Sequence, residues 1–226
     1  DSLPDIETIT DKHTMVVSLL NGVDSEELIG QRIGMEHMIY SLIRIASHRI
    51  GNSIHFSLPK GYNGIYIGIP NQPACQDPRL AAIAEIFADT PVTLHLSDDI
   101  LLDMWDKFGL NVSRNLPQAI LGVGIGVYDD SIYADAIMRR MRHEVVLVAN
   151  AKGIPLTDEF KAAKWLPSQR YSTLQDLDAH RHTEIDMFSG ALIRMGKEVG
   201  VECPYNEMTY NLIKALEEKN DGKFDY

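Results

Sequence analysis

The pattern of hydrophobic residues changes between Leu96 and Ser97, and this change limits the fold more than any other feature of the sequence. Before it, short apolar runs alternate with turn residues and short helical stretches, which is typical of a mixed α/β domain. After it, long amphipathic stretches begin at capping residues and end at glycine or proline. We therefore predict an α/β part over residues 1–97 and an all-helical part over residues 98–226.

The α/β part is expected to consist of short strands and helices separated by recognisable turns. The predicted strands cover residues 15–20, 38–46, 53–58, 65–67 and 92–96, and the predicted helices begin at Asp24 and cover residues 78–88. The first apolar run ends at Asn21 and Gly22, which predicts a buried strand followed by a turn. Gly51 and Asn52 separate the second and third strands and predict a hairpin turn.

The helical part shows capping signals at the ends of its helices. Its predicted helices cover residues 98–116, 131–151, 172–199 and 204–218. Residues 97–99 (Ser-Asp-Asp) form an N-cap cluster, and Ser172 with Gln175 has the spacing of a capping box. A Gly-x-Gly-x-Gly motif at 122–126 lacks the third glycine of a dinucleotide fingerprint at the required position, so we interpret it as a loop or a close-packing site.

Composition and charge exclude several classes of partner. The 226 residues carry a formal net charge of −11. Phosphate binding needs clustered Lys and Arg, so this charge argues against nucleic acid and against an anionic membrane surface. No apolar run approaches the ~20 residues of a membrane span, and the N-terminus lacks the features of a signal peptide. Cys75 and Cys203 are expected to be reduced thiols in a cytoplasmic protein.

The predicted helix over 98–116 carries a polar row beside its apolar face. Lys107, Asn111 and Asn115 are spaced by four residues and therefore lie along one side of the helix. The neighbouring apolar stripe contains Leu101, Trp105, Phe108 and Val112. The polar row is either a solvated edge or a place where two amides and an ammonium contact a bound polar ligand.

The predicted helix over 172–199 carries a carboxylate on its apolar stripe. This residue is Glu184, and a carboxylate in such a position is either paired, here with Arg181, or functional. The sequence alone leaves both interpretations open. His180 and His182 are two positions apart, so they do not face each other on a helix, and we predict no metal site.

Several motifs, in this order, resemble those of the ketopantoate reductase (2-dehydropantoate 2-reductase) family. They are Asn-Gly at 21–22, Trp-x-Lys-x-x-x-Asn-x-x-x-Asn at 105–115, Lys-Gly-Ile-Pro at 152–155, Ser-x-Leu-Gln-Asp at 172–176, Arg-x-Thr-Glu-Ile-Asp at 181–186 and Gly-Val-x-x-Pro-x-Asn at 200–206. The sequence departs from the family at Leu20, where Gln is usual, and at Ser113 and Arg114, where small apolar residues are expected. It also lacks the strand, glycine-rich turn and helix that open the family pattern.

The resemblance implies a fold, a reaction and a cofactor. The implied fold class is α/β plus all-α. Residues 1–97 are expected to form the C-terminal part of a Rossmann-type NADP-binding domain, and residues 98–226 a helical domain similar to that of 6-phosphogluconate dehydrogenase. The implied reaction is the NADPH-dependent reduction of 2-dehydropantoate to pantoate, in pantothenate and coenzyme A biosynthesis. The implied partners are NADP, a small 2-oxo acid and, as an open possibility, a second copy of the chain.

The resemblance also implies roles for six residues. Lys107 and Glu184 are expected to be catalytic, Asn21 to bind the cofactor, and Asn111, Asn115 and Ser172 to bind the substrate. Two alternatives remain. The chain belongs either to a reductase of the same family acting on another 2-oxo acid or, because the glycine-rich segment is absent, to a non-catalytic helical dimerisation module. We expect upstream sequence before Asp1, and we expect the chain by itself to bind NADPH poorly.

Overall fold

The structure is a computed structural model that describes residues 2–45, 47–50, 53–56, 63–160 and 166–226. The chain divides into one unit over Asp1–Met104 and a second over Trp105–Tyr226. The units divide inside a helix, slightly later than the boundary predicted from the sequence. Each unit contains hydrophobic clusters of its own.

The first unit is a mixed sheet with helices. Its helices are α1 (Leu3–Ile9), α2 (Ser25–Ile33) and α3 (Pro78–Phe87), and its strands are β1 (Val16–Val17), β2 (Met38–Arg44), β3 (Ser47–Ile50), β4 (Ser53–Phe56), β5 (Gly64–Gly68) and β6 (Leu94–Leu96). Four strands form one sheet in the order β1-β2-β5-β6. The β1–β2 and β5–β6 pairs are parallel, whereas β2 and β5 are antiparallel.

Strands β3 and β4 form a separate antiparallel pair in which Ile50 lies opposite Ser53. This register agrees with the predicted two-residue connection. The hairpin turn itself, at Gly51 and Asn52, lies outside the described residues. So do Ala46 and residues 57–58 at the ends of predicted strands.

Helix α3 packs on the sheet through the apolar core of the first unit. Leu80 and Ile83 of α3 join Ile39, Ile65 and Ile67 of the strands in one buried cluster. The helix begins where its sequence predicts, because the Asp77 carboxylate accepts a hydrogen bond from the Arg79 amide at 2.9 Å and Pro78 occupies the first turn.

The prediction of a buried strand over residues 15–20 is wrong in its extent. Only Val16 and Val17 pair with β2, and the side chains of Leu19 and Leu20 are exposed. The physical reason is position, since β1 lies at the edge of the sheet that the described residues form and pairs there with β2. The predicted turn is present, and Gly22 adopts a φ of 105° that favours glycine.

In the second unit, every regular element within residues 105–160 and 166–226 is helical. These elements are the end of α4 (Ile100–Leu110), a π-helical turn (Asn111–Asn115), α5 (Leu116–Leu121), α6 (Val127–Asp130), α7 (Ile132–Ala151), α8 (Ser172–Asp178), a second π-helical turn (Asp186–Gly190), α9 (Ala191–Val199) and α10 (Pro204–Asn220). The central helix is α7, which packs against α5, α6, α9, α10 and the first π turn.

Helix α7 begins and ends at the residues that the sequence predicts. The Ser131 hydroxyl accepts a hydrogen bond from the Ala134 amide at 3.3 Å, which satisfies one backbone donor of the first turn. Beyond the C-terminus, Gly153 adopts a φ of 83° and its amide donates to the Asn150 carbonyl at 2.9 Å.

The Gly-x-Gly-x-Gly motif is a close-packing site, as one of the two sequence interpretations predicted. The Ile125 amide donates to the Gln169 carbonyl and the Gly126 amide to the Pro167 carbonyl, both at 2.9 Å. A Cβ atom at Gly124 would lie 2.3 Å from the Pro167 carbonyl oxygen. The glycines therefore allow two backbone segments to approach directly.

The side chain of a buried arginine packs against α4 close to Lys107, at Asp106 and Gly109. Arg142 of α7 is 1% exposed, and its Nη2 donates to Asp106 Oδ1 at 3.3 Å and to the Thr157 carbonyl at 2.9 Å. Its guanidinium lies over the backbone of Gly109, where a Cβ atom would meet Arg142 Nη1 at 2.0 Å. The missing side chain at Gly109 thus makes room for the Arg142–Asp106 ion pair.

We expect Gly109→Ala to destabilise the protein. A helical alanine normally gains about 1 kcal/mol over glycine, but overpacking against Arg142 costs roughly 1–3 kcal/mol. Chemical denaturation should show a lower free energy of unfolding. The matched test adds Arg142→Lys, which lacks Nη1, so Gly109→Ala should cost less in that background. A simple gain of stability by Gly109→Ala would contradict the packing described here.

Candidate active site

Lys107 lies in the last turn of α4, beside a buried aromatic pair. Trp105 and Phe108 are almost fully buried, and their rings meet edge to face with centroids 5.6 Å apart. Lys107 and Asn111 are half-buried. The predicted apolar stripe is therefore buried at Trp105, Phe108 and Val112, and Lys107 and Asn111 of the polar row lie at its margin.

The prediction of one regular helix over 98–116 is wrong at its C-terminal end. The α-helix ends at Leu110, and a π-helical turn spans Asn111–Asn115 before α5. Pro117 explains the change, because it has no amide hydrogen and its ring would clash with the carbonyl four residues earlier in a regular helix. Turns of this kind are frequent at functional sites.

Beyond this turn, Asn115 joins the segment that begins with Ser172. Asn115 is 3% exposed, its Nδ2 donates to Ser172 Oγ at 3.2 Å, and its Oδ1 accepts from the Thr173 amide at 3.3 Å. Ser172 is the first residue of α8 and does not cap it, so the predicted capping box is absent. Ser172 is exposed, and its hydroxyl proton has no acceptor among the described residues.

Gln118 is a site-supporting residue that the sequence analysis missed. It is fully buried, its Nε2 donates to the Gln169 carbonyl at 2.9 Å, and its Oε1 accepts from the Tyr171 amide at 2.8 Å. Its position three residues after Asn115 was the available signal, since such residues share a helix face. Together the two amides fix the backbone that leads into Ser172.

Arg114 lies in the core of the helical unit. It is 8% exposed, and its guanidinium carbon lies 4.3 Å from the centre of the Phe160 ring. Burial lowers the pKa of the Arg114 guanidinium. This departure from the family pattern is thus a packing feature of the π turn.

The prediction of one helix over 172–199 is also wrong. Helix α8 ends at Asp178, His180 adopts a φ of 52°, and helical structure resumes only with the second π turn. A positive φ in a residue with a side chain is incompatible with a continuing right-handed helix. Arg181 donates to Asp176 at 2.7 Å, so of the two interpretations left open for Glu184, pairing with Arg181 is not the arrangement observed.

Glu184 therefore lies in the irregular stretch between α8 and the second π turn. It is half-buried, and its carbonyl accepts hydrogen bonds from the amides of Met187 and Phe188 at 2.9 and 3.1 Å. The two π turns approach each other, with Cα atoms within 8 Å. The segment that follows Lys107 and the segment that follows Glu184 are thus neighbours in the helical unit.

Asn21 belongs to the first unit and follows β1. It is half-buried in the turn that Gly22 forms. A buried chain of hydrogen bonds closes this turn, because Ser18 Oγ lies 2.9 Å from Ser25 Oγ, which donates to Glu26 Oε2 at 2.8 Å. Burial raises the pKa of the Glu26 carboxyl.

The remaining candidates are surface groups. His180 and His182 are exposed, and His182 Nε2 lies 3.0 Å from the Asp221 carboxylate. Within the described residues, no group of three or more His, Cys, Asp or Glu is arranged to hold a metal ion. No helix in that part of the chain combines the length and the apolar character that crossing a membrane requires.

Comparison with known proteins agrees with this architecture. The family profile described as "Ketopantoate reductase PanE/ApbA C terminal" matches residues 99–217, and the profile described as "Ketopantoate reductase PanE/ApbA" matches residues 1–72. The 2-dehydropantoate 2-reductase of Caulobacter vibrioides is 28% identical over 218 residues, which are 93% of this chain and 71% of the relative. That of Streptococcus pyogenes serotype M3 is 28% identical over 227 residues, with 95% and 71% covered.

Solved structures share the fold. The ketopantoate reductase structure from Ralstonia eutropha JMP134 has a TM-score of 0.80 at 24% identity and covers 97% of this chain and 72% of that chain. A structure described as D-mandelate dehydrogenase with NADH and anilino(oxo)acetate has a TM-score of 0.82 at 24% identity, with the same coverage.

The fold and the matches define a class of oxidoreductases with a Rossmann-like N-terminal part and a helical C-terminal domain. Because the C-terminal profile matches more than half of the residues, the chain belongs to the ketopantoate reductase family. Curated relatives in this family are named 2-dehydropantoate 2-reductase.

We expect Asn115→Leu to destabilise the protein and Asn111→Leu to leave its stability nearly unchanged, which would distinguish a structural amide from a functional one. Asn115→Leu leaves the buried Thr173 amide without its partner, which should lower the free energy of unfolding by roughly 1–3 kcal/mol. Asn111→Leu should change stability little, because Asn111 makes no side-chain hydrogen bond among the described residues. Thermal unfolding of both variants checks this, and equal losses would argue against the difference.

Proposed function

We propose that the chain provides catalytic and substrate-binding residues of an NADPH-dependent reductase that converts 2-dehydropantoate to pantoate. Family membership and the names of the curated relatives support this proposal. The observation that carries it is the contact between the two π turns, one directly after the Lys107 helix and the other beginning two residues after Glu184.

The chemistry accounts for the residue types. When bound, a nicotinamide cofactor would supply a hydride to the ketone carbon, and negative charge would then develop on the ketone oxygen. Lys107 acts as the general acid that protonates this oxygen and stabilises its charge. Glu184 orients the ammonium group and accepts a hydrogen bond from the substrate hydroxyl.

The substrate carboxylate and hydroxyl need donors of their own. Asn111 is half-buried beside Lys107 and offers its amide to a substrate oxygen. Ser172 uses its oxygen to accept from Asn115, so its proton is directed to another acceptor, which we assign to the substrate carboxylate. Asn115 completes this arrangement because its side chain holds Ser172 through one hydrogen bond and the Thr173 amide through another.

The cofactor assignment rests on the first unit. In Rossmann-type sheets, ligands bind beyond the carboxyl ends of the parallel strands. Asn21 follows β1, which is parallel to β2, and Gly22 gives the backbone a tight turn there. These residues fit a nicotinamide cofactor, and Asn21 is the residue that would contact it.

A second candidate is a reductase of the same family that acts on another 2-oxo acid. The similarity in fold to D-mandelate dehydrogenase, whose structure contains NADH and anilino(oxo)acetate, favours this alternative. The two candidates share the roles of Lys107 and Glu184. They differ in the groups that surround the substrate carbon chain and in the choice of NADPH or NADH.

We expect Lys107→Ala to reduce turnover far more than it weakens cofactor binding, because the alkoxide needs the ammonium and the cofactor does not. Losing a positioned general acid costs ~10²–10⁴-fold. Glu184→Ala should lower turnover and raise the Michaelis constant for the oxo acid. Steady-state kinetics of the intact enzyme, with cofactor binding measured by fluorescence, checks both expectations.

The matched control is His182→Ala, which alters an exposed residue close to Glu184 in sequence and should leave turnover nearly unchanged. Near-normal turnover by Lys107→Ala together with a large loss by His182→Ala would show that the Lys-Asn-Asn row is structural. The proposed mechanism would then be wrong.

A panel of 2-oxo acids, each assayed with NADPH and with NADH, tests the proposed substrate and cofactor. We expect the intact enzyme to reduce 2-dehydropantoate with a higher kcat/KM than aromatic or unbranched 2-oxo acids, and to prefer NADPH to NADH. Absorbance at the nicotinamide band follows each reaction. A higher kcat/KM for an aromatic 2-oxo acid with NADH would favour the second candidate.

A further inference from the structure

Glu184 lies in a stretch of backbone that is not part of a regular helix. Residues 181–183 form no helix or strand, and the π turn begins only at Asp186. Within a helix, a side chain is positioned by the hydrogen bonds of its own turn. Besides the hydrogen bonds that its own carbonyl accepts, the direction of Glu184 depends on the contacts that fix its two neighbours.

A buried carboxylate on α10 fixes both neighbours. Glu217 is 2% exposed, and its Oε1 accepts hydrogen bonds from the Thr183 amide and from Thr183 Oγ1, both at 2.7 Å. Thr183 Oγ1 in turn accepts from the Ile185 amide at 3.2 Å. One carboxylate therefore ties the residue before Glu184 directly and the residue after it through a hydroxyl.

Charge around Glu217 keeps this carboxylate ionised. Its Oε2 lies 3.0 Å from Lys214 Nζ. Burial opposes ionisation most strongly, but the hydrogen bonds from Thr183 and the contact with Lys214 outweigh it and hold the pKa of Glu217 below its ordinary value. An ionised carboxylate accepts stronger hydrogen bonds than a neutral one.

We propose that Glu217 and Thr183 are positioning residues that aim the Glu184 carboxylate at the reacting groups. This inference rests on the proposed function, because it requires Glu184 to act on Lys107 or the substrate. Neither residue touches the substrate. They act by fixing the backbone on both sides of Glu184, in the break between α8 and the second π turn.

Four substitutions and one control test the proposal in the intact enzyme. Glu217→Ala removes the acceptor of both bonds, and Thr183→Val removes the hydroxyl that links Glu217 to Ile185 but keeps the amide bond. Glu217→Gln keeps one acceptor, and Thr183→Ser keeps the hydroxyl. The control is Glu218→Ala, the next residue of the same helix, whose carboxylate pairs with Lys223 away from Thr183. Circular dichroism and thermal melting establish which variants fold.

We expect Thr183→Val and Glu217→Ala to lower kcat by about 10- to 100-fold, since small misplacements of catalytic groups cost rates of this order. The Michaelis constant for the oxo acid should rise, and that for the cofactor should not. Thr183→Ser should stay close to the parent enzyme, Glu217→Gln should be intermediate, and Glu218→Ala should have no effect. Normal kinetics in folded Thr183→Val would overturn the proposal.

A double-mutant cycle distinguishes positioning from general destabilisation. In a Glu184→Ala background, Glu217→Ala should change kcat by less than about 2-fold, because the group that it positions is already absent. An equal loss in both backgrounds would show that Glu217 is only structural. Normal turnover by Glu184→Ala itself would instead refute the proposed function, and the positioning role with it.

Discussion

The helical unit depends on hydrogen bonds in which buried polar side chains accept from backbone amides that have no backbone acceptor. Its chain leaves regular structure at several points, and each break exposes amides that must find acceptors. Glu144 accepts from the amides of Tyr205 and Asn206 where α10 begins, at 2.9 and 3.0 Å. Asn115 accepts from the Thr173 amide in the first turn of α8, and Glu217 accepts from the Thr183 amide before the second π turn. An unmet buried amide costs about 1–3 kcal/mol, so these side chains decide where helices can stop.

Local signals in the sequence predicted the elements whose ends are satisfied locally. Ser131 starts α7 and Asp77 starts α3, and in each case the acceptor lies within three residues of its donor. The mixed sheet and the helical second unit follow from the change of hydrophobic period between Leu96 and Ser97. These features needed no knowledge of distant contacts.

Distant partners account for the parts that were not predicted. The apolar stripe over 172–199 continues across the break after Asp178, because Leu177 and Phe188 are both buried although they belong to different elements. The amide of Thr183 is satisfied by Glu217, which lies 34 positions away. The signal for such a partner was on α10, where Glu217 follows Ile213 by four residues on the buried face.

The two asparagines of the family motif at residues 105–115 have different roles, which their burial distinguishes. Asn111 is half-buried and makes no side-chain hydrogen bond among the described residues, whereas Asn115 is 3% exposed with both amide atoms engaged by Ser172 and Thr173. The two asparagines lie at opposite ends of the same π turn, and their environments differ. One sequence motif thus contains a residue that can meet a ligand and a residue that holds Ser172 in place.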